Sequence, residues 1–338
     1  MATSDVPFVE GGHRVIARAL VRALQESGHE AEMFTTPSNR FGRQGGAYLA
    51  TRLTDVELTG ADERVDRLIS LRYPSYVLRH PNHVCWLNHR MREYYDLWHQ
   101  WDSTLGWKGR IKENVRRVLI RAADDHFLKE LRKLFAQSKQ IRDGLLQWGG
   151  HSSEVLYPPP AVRAYRTSGY EDFVLSPARL TSLKRVGLLV EALALGKTGR
   201  AVILGDGPER DSLRALVRQH SLEARVEFRG HVTDDEMVDL LARCRAVFYA
   251  PRGEDYGLVT LEAFHSRKAV LTATDSGGPV ELVENGVSGL VCPPEPGALA
   301  SALERLFEDA PLAETMGQAA YGAFGHVTWP RTVETLLS

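Results

Sequence analysis

Apolar positions along the chain follow two alternating rhythms. Arg67 to Leu71, His83 to Leu87, Lys133 to Gln137, Phe173 to Ser176, Ala201 to Leu204, Val226 to Phe228, Ala246 to Tyr249 and Ala269 to Ala273 are short, largely apolar runs, the signature of strands buried inside a sheet. Val15 to Ser27, Val186 to Leu195, Asp211 to His220, Asp234 to Cys244 and Val259 to His265 read as helices, the first entered from Gly11 and Gly12 and closed by Gly28. A long polar helical region separates His83 to Leu87 from Lys133 to Gln137. Strand and helix in alternation predict parallel sheets covered by helices on both faces. Only Met1 to Val9 precedes the first helix, so the chain is expected to begin partway through its first strand.

Tyr157-Pro158-Pro159-Pro160 interrupts this rhythm. A proline triplet fixes φ and removes backbone donors, so it stops regular structure and serves as a stiff connector. After it the alternation restarts, which predicts two doubly wound α/β domains. A length of 338 residues agrees, since one hydrophobic core rarely grows so large.

Composition changes this picture little. With 43% hydrophobic and 25% charged residues the chain reads as globular, neither disordered nor fibrous. Residues 1–160 carry 23 Lys and Arg against 19 Asp and Glu, and the remainder 19 against 24, a difference too small to identify a partner. Charges interrupt every apolar stretch before it could cross a bilayer, and no signal peptide is recognisable. Cys85, Cys244 and Cys292 lie far apart without metal-ligand spacing, so the expectation is a reduced, cytoplasmic protein, at most peripheral to a membrane.

In open parallel sheets, ligands bind beyond the carboxyl ends of the strands, so the loops after strands are where chemistry is sought. In Glu254-Asp255-Tyr256-Gly257-Leu258-Val259-Thr260-Leu261-Glu262 the glycine and following amides would open a helix whose N-terminus favours anionic groups. Glu254 precedes the turn and Glu262 lies about two turns into the helix, so two carboxylates could read the hydroxyls of one extended ligand. The plainer alternative is a capping Glu254 and a packed Glu262. Arg179 and Lys184 follow Phe173 to Ser176, where a diphosphate could take a forked and a point-charge contact, although two such cations can equally be solvated. Gly277-Gly278, within Asp275 to Glu281, would allow close backbone approach to a ligand or simply form a turn.

In order, Arg179 and Lys184, the turn Gly205-Asp206-Gly207-Pro208, Phe228-Arg229-Gly230-His231-Val232, the Glu254 and Glu262 pair and Gly277-Gly278-Pro279-Val280-Glu281 resemble the family 4 glycosyltransferases of the GT-B fold. The likeness covers nearly the whole chain. It implies two Rossmann-like doubly wound domains facing each other across a deep cleft: residues 1–158 for the acceptor, residues 159–325 for the nucleotide sugar, and a C-terminal helix, residues 326–338, crossing back to the first. Carried over, it assigns Arg179 and Lys184 to the donor diphosphate and Glu262 to the ribose. Glu254 falls to the transferred sugar, with Tyr256, Gly257, Leu258 and Val259 nearby, and Arg229, His231 and Val232 to the base pocket, with Gly205 in a turn beside it. Gly12 would approach the phosphates from the other domain. His89 resembles the family's active-site histidine, with His80, His83 and His99 as competitors. Ala178 departs from the family, which often has glycine there.

The resemblance implies a retaining hexosyl transfer from a nucleoside-diphosphate sugar, a UDP-sugar before GDP-mannose, to a hydroxyl of a saccharide, a lipid-linked saccharide or a small molecule. Transfer builds negative charge on the diphosphate, which Arg179 and Lys184 would stabilise. No Asp-x-Asp occurs, so neither a metal nor a cofactor is expected. Gly205-Asp206-Gly207 lacks the third glycine of a dinucleotide fingerprint, and no nucleic-acid partner is expected. Loops near Gly12, Asn39 to Gly46, Tyr73 and His89 to Tyr95 would build the acceptor site. The basic, aromatic stretch Trp107 to Arg121 could face anionic lipid or be a solvated helix face. The alternatives are another GT-B enzyme, an epimerase or phosphorylase, or an inactive nucleotide-sugar sensor, and the fold alone does not choose.

Overall fold

The computed structural model describes residues 1–4, 12–37 and 43–338. The chain divides into two compact units, residues 1–158 with 329–338, and residues 159–328.

The first unit begins with β1 (Ala2–Ser4), α1 (Gly12–Glu26), β2 (Phe34–Thr36), α2 (Gln44–Leu53), β3 (Leu68–Ser70) and β4 (His83–Leu87). It continues with α3 (Trp98–Ser103), α4 (Trp107–Lys129), β5 (Lys133–Ala136), α5 (Lys139–Gly149) and β6 (Glu154–Val155). Its sheet runs β2-β1-β3-β4-β5-β6, all parallel. Every residue of β3 and β4 is buried, as an apolar run covered on both faces requires. Ser138 caps α5 by accepting from the Ile141 amide, and Gly150 ends it with φ +64°, a conformation glycine adopts without strain.

A buried carboxylate ties α4 to this unit. Asp124 accepts hydrogen bonds from the hydroxyls of Tyr48, Tyr76 (2.6 Å) and Tyr95 (2.7 Å), while the Arg90 guanidinium lies 3.8 Å above the Tyr95 ring. Three donors on one carboxylate satisfy a polar group that would otherwise be costly inside a core.

The second unit holds β7 (Phe173–Pro177), α6 (Val186–Leu195), β8 (Arg200–Leu204), α7 (Arg210–Gln219), β9 (Val226–Gly230), α8 (Asp234–Arg243) and β10 (Ala246–Phe248). Then come α9 (Leu258–His265), β11 (Ala269–Ala273), α10 (Gly278–Leu282), β12 (Gly289–Cys292), α11 (Pro296–Glu308) and α12 (Ala310–Phe324). Thr233 and Glu236 form a reciprocal capping box at the start of α8. The parallel sheet runs β12-β11-β10-β7-β8-β9. From the central β7 the chain winds outward through β8 and β9, then returns to β7's other side through β10, β11 and β12. The topological switch point therefore lies between β7 and β10.

The last helix, α13 (Trp329–Leu337), belongs to the first unit. The Trp329 ring meets Trp86 of β4 edge-on at 6.3 Å, and Arg67 donates to the Leu336 carbonyl at 2.8 Å. Apolar contact and one charged donor on a helix-end carbonyl fix it there.

Candidate functional site

The switch point places Lys184 and Glu254 together. Lys184 follows β7 and Glu254 follows β10, and their side chains pair at 2.5 Å. Lys184 also donates to the Tyr249 hydroxyl at 3.0 Å, and Tyr249 ends the β10 run. Burial, with the Glu254 and Glu262 charges, pushes the Tyr249 phenol well above its ordinary pKa, so it stays protonated. Sequence reasoning took Tyr249 only for the end of a core strand. An aromatic with one polar atom closing a strand is the signal that could have marked it.

Backbone bonds between loops hold this arrangement. Gly253 and Glu254 donate to the carbonyls of Asp275 and Ser276, and Gly278 donates back to Glu254 at 2.7 Å. A Cβ on Gly277 would lie 2.4 Å from the Glu254 carbonyl, and one on Gly278 2.1 Å from that of Tyr256. The close approach these glycines permit is thus to the neighbouring loop. Gly205 serves likewise: with φ +91°, its Cβ would lie 2.2 Å from the Ala178 carbonyl, in the loop that carries Arg179.

Arg185, beside Lys184 and unmarked in the sequence, is a third tie. Its guanidinium grips both Asp275 oxygens (2.8 and 2.6 Å) and the carbonyls of Ala250 and Pro251. Those bonds hold the Asp275 carboxyl below its usual pKa and join the loops after β7, β10 and β11. The Arg179 side chain is exposed and makes no hydrogen bond or ion pair among the described residues.

α9 opens at Leu258, behind Gly257 at φ +97°, where a Cβ would press to 2.9 Å from Pro279. Its first amides are therefore presented where an anion can meet them. Tyr256 is buried against this turn, while Leu258 and Val259 are half-buried. Glu262 is the fifth residue of α9, one turn in where two were expected, because the helix starts at Leu258. It is buried and already engaged: Arg163 donates to it at 2.7 Å and the Tyr165 hydroxyl at 3.4 Å, while Arg163 also bonds Asp234 at 2.8 Å. Burial raises the Glu262 pKa, and Arg163 opposes the rise. Nothing in the sequence signalled Arg163 or Tyr165, which lie just past the proline triplet.

The residues assigned to the base pocket lie further out, on the edge strand β9 and beyond. Arg229 pairs with Glu227 at 2.7 Å and, with Arg200 and Arg243, lines a hollow of about 200 Å³. His231 is exposed and Val232 half-buried. No hydrogen bond or ion pair among the described residues joins these three to the Lys184 and Glu254 pair.

In the first unit, His89 lies just beyond the end of β4. Its Nδ1 donates to the Arg90 carbonyl at 2.7 Å, which leaves Nε2 as an acceptor. Burial, then the nearby Arg72 charge, lowers its pKa to about 3, so the ring is neutral at ordinary pH. Its competitors differ. His80 is bonded through both ring nitrogens, His83 is buried against Ser70 at the start of β4, and His99 is exposed on α3. Gly12 opens α1; Gly11 and residues 39–42 lie outside the described residues. Tyr73, Tyr94 and Tyr95, expected near an acceptor, are buried core residues, because Tyr94 bonds Glu113, Tyr95 bonds Asp124 and Tyr73 packs on Tyr48. Among the described residues no group of three or more His, Cys, Asp or Glu could hold a metal ion, and no helix is long and apolar enough to cross a membrane.

Two parallel six-stranded units of this kind define the GT-B fold. Anabaena HepE, solved in complex with UDP and glucose, superposes with a TM-score of 0.70 over 99% of this chain and 97% of its own, at 20% identity. Residues 163–323, within the second unit, match the family described as Glycosyl transferases group 1. Human alpha-1,3/1,6-mannosyltransferase ALG2 is 34% identical over 155 residues, 45% of this chain and 36% of that protein. Alpha-D-kanosaminyltransferase of Streptomyces kanamyceticus is 35% identical over 152 residues, 44% and 39%. The chain thus matches well under two thirds of the length of these curated relatives.

Proposed function

We propose that this protein is a glycosyltransferase moving a hexosyl group from a nucleoside-diphosphate sugar to a hydroxyl acceptor, with retention of anomeric configuration and without a metal ion. One observation carries the reading: at the switch point a cation from the loop after β7 meets a carboxylate from the loop after β10, four residues before α9 opens at Leu258. Lys184, exposed Arg179 and the α9 amides offer the positive charge a diphosphate needs. Glu254 offers an acceptor to sugar hydroxyls, and Glu262 one to the ribose once Arg163 and Tyr165 yield. A UDP-sugar is the favoured donor, with a GDP-sugar next. The UDP in the HepE structure supports the first, and the activity in the name of the mannosyltransferase relative is compatible with the second.

In the proposed reaction the acceptor oxygen bonds to the anomeric carbon as that carbon's bond to the diphosphate oxygen breaks, and the acceptor proton passes to the departing phosphate. Arg179 and Lys184 stabilise the growing negative charge, which makes a metal dispensable. Neutral His89, in the first unit, can act only as a hydrogen-bond acceptor. Ion pairing holds Glu254 on Lys184, which disfavours it as a nucleophile and favours same-face attack.

A thermal-shift series with UDP, GDP, ADP and their sugars tests the donor class, since a ligand of the folded state raises the melting point by mass action. Stabilisation by UDP, with transfer undiminished in excess chelator, is expected. No shift with any nucleotide would overturn the proposal.

A further inference from the structure

We infer that the outer face of α4 docks on an anionic lipid bilayer. Trp107, Ile111, Val115, Val118 and Leu119 are 69%, 60%, 57%, 67% and 64% exposed. Steps of four, four, three and one place them on one side of a helix, a stripe about 18 Å long. Exposed apolar residues on globular proteins are ordinarily scattered singly, and a continuous stripe marks a contact surface.

The helix cannot turn this stripe inward. Its opposite side holds buried Glu113, Ile120, Asp124 and Leu128, and the tyrosine hydroxyls on Asp124 and Glu113 lock it there.

Charge identifies the occupant. All three acids of α4 are already paired: Glu113 with Tyr94 and Arg116, Asp124 with its tyrosines, and half-buried Asp125 with His151. Beside the stripe stand exposed Lys108 and Lys112; Lys108 lies 5.2 Å from the Trp107 ring, and Lys112 has no ion-pair partner among the described residues. A second copy on this face would set lysines against lysines. A bilayer bearing anionic headgroups accepts apolar side chains and complements the cations, and Trp107 is the side chain that settles at headgroup level.

Flotation of the full chain with vesicles of phosphatidylcholine, with and without phosphatidylglycerol, tests this. The bound fraction should be roughly tenfold higher on the anionic vesicles and should fall in high salt. The triple variant Trp107→Ser, Ile111→Ser, Val118→Ser should lose binding with an unchanged melting curve, since these side chains are exposed. Lys108→Glu with Lys112→Glu should lose the preference for anionic vesicles. Three results would overturn the inference: no flotation of the parent chain, equal flotation of the triple variant, or a parent dimer that the triple variant abolishes without vesicle binding. Sugar transfer to a soluble acceptor is read separately, so failure of either leaves the other standing.

Discussion

Lys184 and Glu254, 70 residues apart in sequence, form a 2.5 Å ion pair at the point where the second unit's sheet reverses its winding. Each holds the other in place before any donor arrives. A preorganised cation of this kind stabilises developing charge without reorganisation during the reaction.

Lys184→Ala should therefore lower turnover by about 10²–10³-fold. Glu254→Gln removes the partner carboxylate and should chiefly reduce kcat, whereas Glu262→Ala should chiefly raise KM for the donor, because its proposed ribose contact lies away from the reacting carbon. Steady-state kinetics on both variants decide this, and equal changes in kcat and KM would refute the division.

Tyr249→Phe keeps the buried ring and deletes the hydroxyl that receives Lys184. About 0.5–1.5 kcal/mol of hydrogen bonding is lost, so kcat should fall roughly twofold to thirteenfold. A calorimetric melting point that drops steeply would show instead that the hydroxyl serves the core.

Gly278→Ala places a Cβ 2.1 Å from the Tyr256 carbonyl, so the loops after β10 and β11 must part. Gly286→Ala is the control: its φ is positive (+81°), a strain that Gly278 does not carry, but the space around its Cβ is open. The first should abolish the UDP-induced thermal shift, while the second should cost only about 1 kcal/mol of left-handed backbone strain and keep it. Retention of the shift by Gly278→Ala would mean that the loop contact does not shape the site.

Acid sensitivity follows from His83, buried and bonded to Ser70, with its pKa lowered by desolvation from 6.5 to about 3. The unfolded chain takes up a proton near pH 6.5 that the folded chain refuses until about pH 3, so stability falls as pH drops through that window. His83→Gln should flatten denaturant-measured stability between pH 6.5 and 4.5 by roughly 2 kcal/mol. An unchanged slope would mean that His83 does not control it.

Much of the second unit was legible in sequence. β11 and α6 run over the residues their apolar patterns predict, and the glycine before Leu258 marks the start of α9. Short edge strands escaped: Phe34–Thr36 and Glu154–Val155 are too brief to display a period. Glycines 277 and 278 were legible as points of close approach and Gly205 as part of a turn, but not what they approach, since a missing Cβ is silent about its neighbour. The same limit hid Arg163 and Arg185, whose partners lie 99 and 90 residues away and whose charges, on the chain alone, look like solvated surface.

By itself the sequence determined the alternation of buried strands and helices, the break at Pro158 to Pro160 and the order of motifs that resembles the family 4 glycosyltransferases. These are local properties, written in periodicity, proline's fixed φ and glycine's missing side chain. Only the tertiary structure decided that Lys184 meets Glu254 under Tyr249, that Glu262 lies under Arg163, that α13 packs on the first unit's sheet, and that α4 turns its apolar stripe outward. Each depends on which strands lie side by side, and strand order is a global outcome of burial that no window of sequence contains.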